Sequence, residues 1–229
     1  KQQYFFSSAS IQDIIEKYEK NFPNDKDFED FAKYNTIQLN DTHPVMAIPE
    51  MMRVLMDDKK LSWKQAWNVT SNVFNYTNHT ILQEAMEKWS VDVVEEVSPR
   101  IMDIIAEIDR RFVSDLVGLY YSVDRIDNLR IVKDNTVNMA HLAILTAVKI
   151  NGVAKIHTEI LKNETLKSWH DLYPDKFVNK TNGITPRRWL FYSNPELTNF
   201  ITELLGEDWK TDLTKLKQLE NFQDDESVL

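Results

Sequence analysis

The sequence predicts an α/β fold in which helix dominates. Three observations carry that expectation. Apolar residues recur at helical spacing over long stretches, most clearly Ile101, Ile104, Ile105, Ile108, Phe112 and Leu116. Short β-prone segments such as Thr36-Ile37-Gln38-Leu39 and Phe177-Val178-Asn179-Lys180 sit between the helices. Those strands are few, short and apolar enough to be buried, the pattern of a sheet layered with helices and seen only in part.

Taken in order, Ser10 precedes Ile11, Ile14, Ile15 and Tyr18 on one helical face, so 10–20 is read as an amphipathic helix with a Ser cap. The polar stretch 21–35 is read as loop. The strand at 36–39 ends at Asn40-Asp41, and a helix takes Ala47 to Asp58 with Pro49 near its start. Ser62-x-x-Gln65 is a capping box for a helix at 63–74. Residues 75–80 are too polar for a helix and are read as a short strand or loop. Ser98-Pro99 opens the longest helix, about 99–117, which Gly118 ends. Leu129 to Lys133 and Val137 to Val148 are strand-like or fully buried runs. Asn151-Gly152 is read as a turn, and a helix follows at 156–166. Asn194-Pro195 opens a helix closed by Gly206, and 211–220 is another. The sequence holds no internal repeat and no low-complexity segment.

Composition removes much of the catalytic menu. The 229 residues include four glycines and no cysteine. The glycines are scattered, so there is no Walker loop, no dinucleotide fingerprint and no G-x-S-x-G elbow. Cysteine-based zinc sites, disulfides and thiol catalysis are excluded. The 27 basic and 36 acidic side chains leave a net charge of −9, which argues against nucleic acid or an anionic membrane as partner. No run approaches the ~20 apolar residues of a membrane helix. Asn-x-Thr triplets begin at Asn68, Asn75, Asn78, Asn163 and Asn179; without secretory signs they are read as chance. A cytoplasmic location is expected. The start at Lys1, without an initiator Met, suggests a fragment. So does the acidic end from Asp224 to Glu226, which has the look of a helix's first turn.

Three segments could carry chemistry. Asp41-Thr42-His43-Pro44 follows a strand and precedes a helix, the position where α/β sheets bind ligands. Asp41 could accept sugar hydroxyls or orient His43; alternatively Asp41 caps and Pro44 begins the helix. Tyr76-Thr77-Asn78-His79-Thr80, followed by Glu84 and Glu87, mixes neutral donors and acceptors as a polyol ligand requires. The competing reading is a polar surface loop, although the flanking Val73, Phe74, Ile81 and Leu82 argue for partial burial. Asn182-Gly183-Ile184-Thr185-Pro186-Arg187-Arg188-Trp189 is a hinge, or an anion site built on the arginine pair.

Metal chemistry finds no support. His157-Thr158-Glu159 matches half of a zinc deaminase motif, but the other half needs cysteines. There is no H-E-x-x-H. His141 lies in an apolar run and is read as a core residue with a satisfied ring. A glycosidase carboxylate pair is compatible with the spacing of several acids, and nothing selects one. Met46, Met51, Met52 and Met56 are read as core filling.

Together these segments resemble a family. Ile37-Gln38-Leu39-Asn40-Asp41-Thr42-His43-Pro44 with Ala47-Ile48-Pro49-Glu50 is similar to the α-glucan (glycogen, starch, maltodextrin) phosphorylases. So are Tyr76-Thr77-Asn78-His79-Thr80 with Glu84-Ala85, Asn138-Met139-Ala140-His141-Leu142, Asn151-Gly152-Val153-Ala154, and the block from Asn179 to Trp189. The blocks stand in family order along nearly the whole chain.

The resemblance implies two Rossmann-like domains facing across a cleft, the glycosyltransferase B architecture. Residues 1–181 would be the latter part of the N-terminal domain, and 182–229 the truncated start of the C-terminal, cofactor-bearing domain. The implied reaction uses inorganic phosphate to release glucose 1-phosphate from the non-reducing end of an α-1,4-glucan. The implied cofactor is pyridoxal 5'-phosphate, whose phosphate does acid–base work, and the parent would be a homodimer. By motif position His79 would be the catalytic contact, on the hydroxymethyl end of the glucosyl unit, with Asn182 on that end from the other side. Asp41, His43, Thr80, Glu84, Ala85 and Glu87 would line the sugar cavity, and Trp189 the cofactor pocket.

The chain departs from the family pattern at Gln83, where proline is usual, and at Leu145-Thr146-Ala147-Val148, where some members carry a more polar run. The cofactor lysine would belong to sequence after Leu229, and regulatory elements of regulated members to sequence before Lys1. The isolated chain is therefore expected to be inactive and to bind no cofactor. The rival expectation is a non-catalytic glucan-binding or protein-interaction module that keeps the fold.

Overall fold

The computed structural model describes residues 1–82 and 86–226. The chain divides into two compact units, Lys1–Thr181 and Asn182–Leu229.

In the first unit, α1 (Gln2–Asn21) is followed by the short α2 (Phe31–Tyr34) and β1 (Ile37–Asn40). Next come α3 (Ala47–Arg53), continued by a π-helical turn over Val54–Asp58, α4 (Trp63–Val73) and β2 (Phe74–Thr77). The strand β3 (Lys88–Ser90) leads into α5 (Val91–Val97), α6 (Pro99–Gly118) and α7 (Val123–Asp127). Then follow β4 (Val132–Lys133), β5 (Thr136–Asn138), α8 (Met139–Thr146) and β6 (Ile150–Gly152). The unit closes with α9 (Lys155–Ile160), α10 (Lys167–Leu172) and β7 (Phe177–Asn179).

Four strands form a parallel sheet in the order β1-β2-β6-β7, with Leu39 beside Tyr76 and Tyr76 beside Ile150. A parallel sheet needs cover on both faces. Its core residues Leu39, Phe74, Tyr76 and Ile150 are at most 1% exposed, packed among α3, α4, α6 and α8. A smaller antiparallel sheet, β3-β5-β4, lies apart from it in the pairing.

Two buried carboxylates fix the helices. Glu50 is wholly buried and accepts from Tyr4, Ser8 and Arg53 Nε and Nη2 at 2.8–2.9 Å, tying α1 to α3. Burial opposes its ionisation, but the Arg53, Ser8 and Tyr4 hydrogen bonds prevail and hold its carboxyl below the ordinary value. Asp109, 2% exposed, accepts from the Ile131 and Val132 amides and from Arg130, clamping β4 onto α6.

The second unit is small. The helix α11 (Pro195–Leu205) is capped by the Asn194 side chain, which accepts from the Leu197 amide at 3.1 Å, and Gly206 ends it at φ +77°. Trp209 is fully buried, edge-on to Phe191, and its Nε1 donates to Thr202 Oγ1 at 3.2 Å.

Several expectations hold. Ser62 and Gln65 form the reciprocal capping box. The methionines are core: Met51 and Met52 are wholly buried. His141 donates from Nδ1 to Arg130 O at 2.8 Å and meets Trp169 edge-on, and burial pushes its pKa down to about 4.

Others are corrected. Ser10 caps nothing; α1 begins at Gln2, because Tyr4 and Ser8 are held by Glu50 and extend the helix toward its start. Residues 21–35 include the short helix α2, whose Phe31 is buried beside Tyr18. Much of the 137–148 run is helix α8; an element buried all round shows no period by which to tell helix from strand. Asn151-Gly152 is strand, not turn. A Cβ on Gly152 would lie 2.5 Å from Thr158 Oγ1, so glycine serves a close approach of α9. The segment at 211–220 is a 3₁₀ helix, Leu213–Phe222. Ile81 and Leu82 are 41% and 55% exposed, so the loop they follow is less covered than its flanks suggested.

Candidate functional site

The carboxyl ends of β1, β2, β6 and β7 are Asn40, Thr77, Gly152 and Asn179. Just beyond this edge lie two of the segments singled out in the sequence. Asp41 turns the chain at φ +63°, a left-handed conformation that Asp tolerates. Its amide donates to Thr77 O at 2.9 Å and its Oδ1 accepts from the Thr42 amide at 2.6 Å. Asp41 therefore shapes a turn and does not cap α3, whose cap position is Met46.

Neutral side chains bridge the strands across this edge. Gln38 Nε2 donates to Thr77 Oγ1 (2.9 Å), and Thr77 Oγ1 donates to Asn151 Oδ1 (2.8 Å). Asn78 is 1% exposed; its amide N–H donates to Asn151 O, its Nδ2 to Tyr76 Oη (3.1 Å), and its Oδ1 accepts from the Thr80 amide (3.0 Å). His79 Nε2 donates to Asn40 Oδ1 at 2.6 Å. With the proton on Nε2, the Nδ1 lone pair of a neutral ring is an acceptor for a ligand hydroxyl.

Electrostatics converge on Tyr76. Burial raises its phenol pKa, the Asn78 hydrogen bond opposes the rise, and the charges of Asp41 and Glu87 add to it. The phenol thus remains protonated under the influence of both carboxylates. Glu87 Oε1 accepts from Gln3 Nε2 at 2.9 Å, whereas its Oε2 is buried with no hydrogen-bond partner among the described residues. An orphan buried acceptor is costly unless a ligand or water supplies a donor.

The fold thus places Asp41, His79 and Thr80 just beyond the ends of β1 and β2, with Glu87 close enough for its charge to act on the Tyr76 phenol. His43 is exposed beyond the Asp41 turn. Glu84 and Ala85 lie outside the described residues. Asn182 and Trp189 belong to the second unit, both exposed, Trp189 by 65% on the π-helical segment Arg187–Tyr192. Tyr76 and Asn78 lie in the polar segment expected to carry chemistry, and Asn40 and Asn151 in the family-like blocks, but none of the four was assigned a role of its own. Their signal is a polar side chain at or next to the end of each strand, visible once the strands are put in register.

No group of three or more potential metal ligands exists among the described residues, and no helix among them is long and apolar enough to cross a membrane. The second unit's described residues do not by themselves fit a phosphate-bearing cofactor: Arg187, Arg188 and Trp189 are all exposed, and no buried polar side-chain atom there awaits a partner that a cofactor would supply.

Known proteins resemble this chain along its whole length. The chain is 45% identical over 238 residues to human liver glycogen phosphorylase, and 47% identical over 234 residues to the α-glucan phosphorylase H isozyme of Vicia faba. It is 45% identical to the muscle glycogen phosphorylase of Bos taurus. Each match covers all of this chain and 28% of the relative, so the chain spans just over a quarter of the length of these proteins. The family described as carbohydrate phosphorylase matches residues 1–229. With the whole chain matched, it belongs to the carbohydrate phosphorylase family.

Proposed function

We propose that this chain is a segment of an α-glucan phosphorylase, and that it supplies one wall of the glucosyl site. The whole protein would use inorganic phosphate to release glucose 1-phosphate from the non-reducing end of an α-1,4-glucan. One observation supports this above others: the edge at the ends of β1, β2 and β6 presents neutral, mutually fixed donors and acceptors. His79 Nδ1 is held in place through the 2.6 Å bond of Nε2 to Asn40. A glucosyl unit is recognised by such groups, and contacts that tighten as the ring flattens toward an oxocarbenium ion lower the barrier.

In this reading His79 binds the hydroxymethyl end of the sugar, and Asn182 is a further ligand of that end. Asp41, His43, Thr80, Glu84, Ala85 and Glu87 line the cavity. The orphan Oε2 of Glu87 accepts a sugar or water hydroxyl. Pyridoxal 5'-phosphate serves the parent protein, with Trp189 bordering its pocket, and the residues that hold its phosphate lie outside this chain. The parent is proposed to be a cytoplasmic homodimer. The isolated chain neither traps the cofactor nor turns over glucan.

The test is an assay of glucose 1-phosphate release from maltodextrin and phosphate by the intact protein. Release in the intact protein and none from residues 1–229 is the expected result. Maltodextrin binding without release in the intact protein would replace the enzyme by a glucan-binding module.

A further inference from the structure

A cavity lies in the first unit at the opposite end of the parallel sheet from the candidate site. Helices α4 and α6, the end of α8 and the segment 173–176 enclose about 900 Å3, in the size range of small-molecule sites. The place is fixed by the strand starts: α4 runs directly into β2, and the Val148 amide donates to Phe74 O.

Its lining combines flat rings with cations. Trp63, Trp67 and Tyr173 contribute aromatic faces, and the Arg111 guanidinium sits 4.6 Å over the Trp63 ring. Lys176 Nζ donates to Leu145 O at 2.7 Å and Ile144 O at 3.1 Å, and lies 4.7 Å from the Tyr173 ring centre. No carboxylate pairs with it among the described residues. Burial pushes its pKa down to about 8. An ammonium has three donors; two are spent on carbonyls and one remains.

The neighbouring cations are also short of counter-charge. Arg110 and Arg111 share one carboxylate, Glu107, at 2.6 Å each. Lys64 stands exposed at the rim, and Asp115 is the acid of the lining. A chain of net charge −9 thus concentrates positive charge in one aromatic-walled cavity.

We propose that this cavity binds a planar aromatic carboxylate, its ring against Trp63, Trp67 and Tyr173 and its carboxylate on Lys176 with Arg111 beside it. A neutral sugar would use the rings and leave the buried cation uncompensated. The inference is independent of the glucosyl site, since cavity and site occupy opposite strand ends.

The experiment titrates 2-naphthoate into the intact protein, read by tryptophan fluorescence and calorimetry, with 2-naphthamide and maltoheptaose as comparison ligands. Saturable one-to-one binding of the naphthoate is expected, about ten-fold or more tighter than the amide. Lys176→Met and Trp67→Ala should each weaken it by about ten-fold or more, and Arg111→Gln, at a half-exposed position that tolerates change, by a few-fold. Glucan binding should be unaltered in all three variants. No saturable naphthoate binding, equal affinity for the amide, preference for maltoheptaose in this cavity, or unchanged affinity in both Lys176→Met and Arg111→Gln would overturn the proposal. If Lys176→Met fails to fold by circular dichroism, Arg111→Gln and the amide comparison decide it.

Discussion

The two ends of the same four strands are built on opposite plans. At the carboxyl end, neutral side chains complete one another: Gln38, Thr77 and Asn151 form a chain across three strands, and Asn78 and His79 are pinned to Tyr76 and Asn40. At the amino end, rings and cations surround open space, and Lys176 has carbonyls but no counter-ion among the described residues. The difference teaches that polarity alone does not identify a site. Apart from the Glu87 Oε2 acceptor, the first end is organised before any ligand arrives, which favours recognition of an uncharged polyol. The second end holds charge that a ligand can neutralise.

This contrast can be broken by removing polar groups at each end. The largest effect is expected at Asn78. Its side chain is buried and joins Tyr76 Oη to the Thr80 amide. Asn78→Ala orphans both, and should cost about 3 kcal/mol in urea denaturation. A loss below about 1 kcal/mol would mean that the carboxyl-end network is decoration. Gly152→Ala comes next. The new Cβ would meet buried Thr158, itself bonded to Asn179 Oδ1, so about 2 kcal/mol should be lost in the same assay.

The amino end should respond differently. Lys176→Met removes a half-buried ammonium that no carboxylate among the described residues neutralises, and keeps the stem, so stability at neutral pH should stay within about 1 kcal/mol of the parent or rise. The sign with pH is fixed by linkage. Folding lowers this lysine's pKa from 10.5 to about 8, so between those values the unfolded chain binds more protons. The lysine's contribution to stability therefore improves as pH rises from 8 toward 10.5, and any advantage of Lys176→Met should shrink over that window. An advantage that grew there would contradict the assignment. The smallest effect is expected at Gln38→Ala, an exposed end of the strand-bridging chain, at about 0.5 kcal/mol by thermal denaturation.

Much of the fold was legible in the sequence where local chemistry decides it. The capping box at Ser62, the Ser98-Pro99 start of α6 and the Asn194 and Gly206 ends of α11 are each written in a few neighbouring residues. Misreadings arose where tertiary contacts decide. Gly152 is glycine because of Thr158, and α1 starts early because Glu50 receives Tyr4 and Ser8. In the site, Asp41 and His79 stood out through their motif blocks. Asn151 also lies in such a block, but its part in the site was not legible, because its partner Thr77 is 74 positions away and becomes adjacent only in the parallel register.

The central claim is that the carboxyl end of this sheet holds the glucosyl unit through a His79 ring oriented by Asn40. Steady-state phosphorolysis of maltoheptaose by the intact protein and its His79→Ala variant tests it most directly. The account predicts that kcat and kcat/KM both fall, on the order of 10²-fold, because the contact strengthens in the transition state. Kinetics indistinguishable from those of the unsubstituted protein would contradict it and remove His79 from the site.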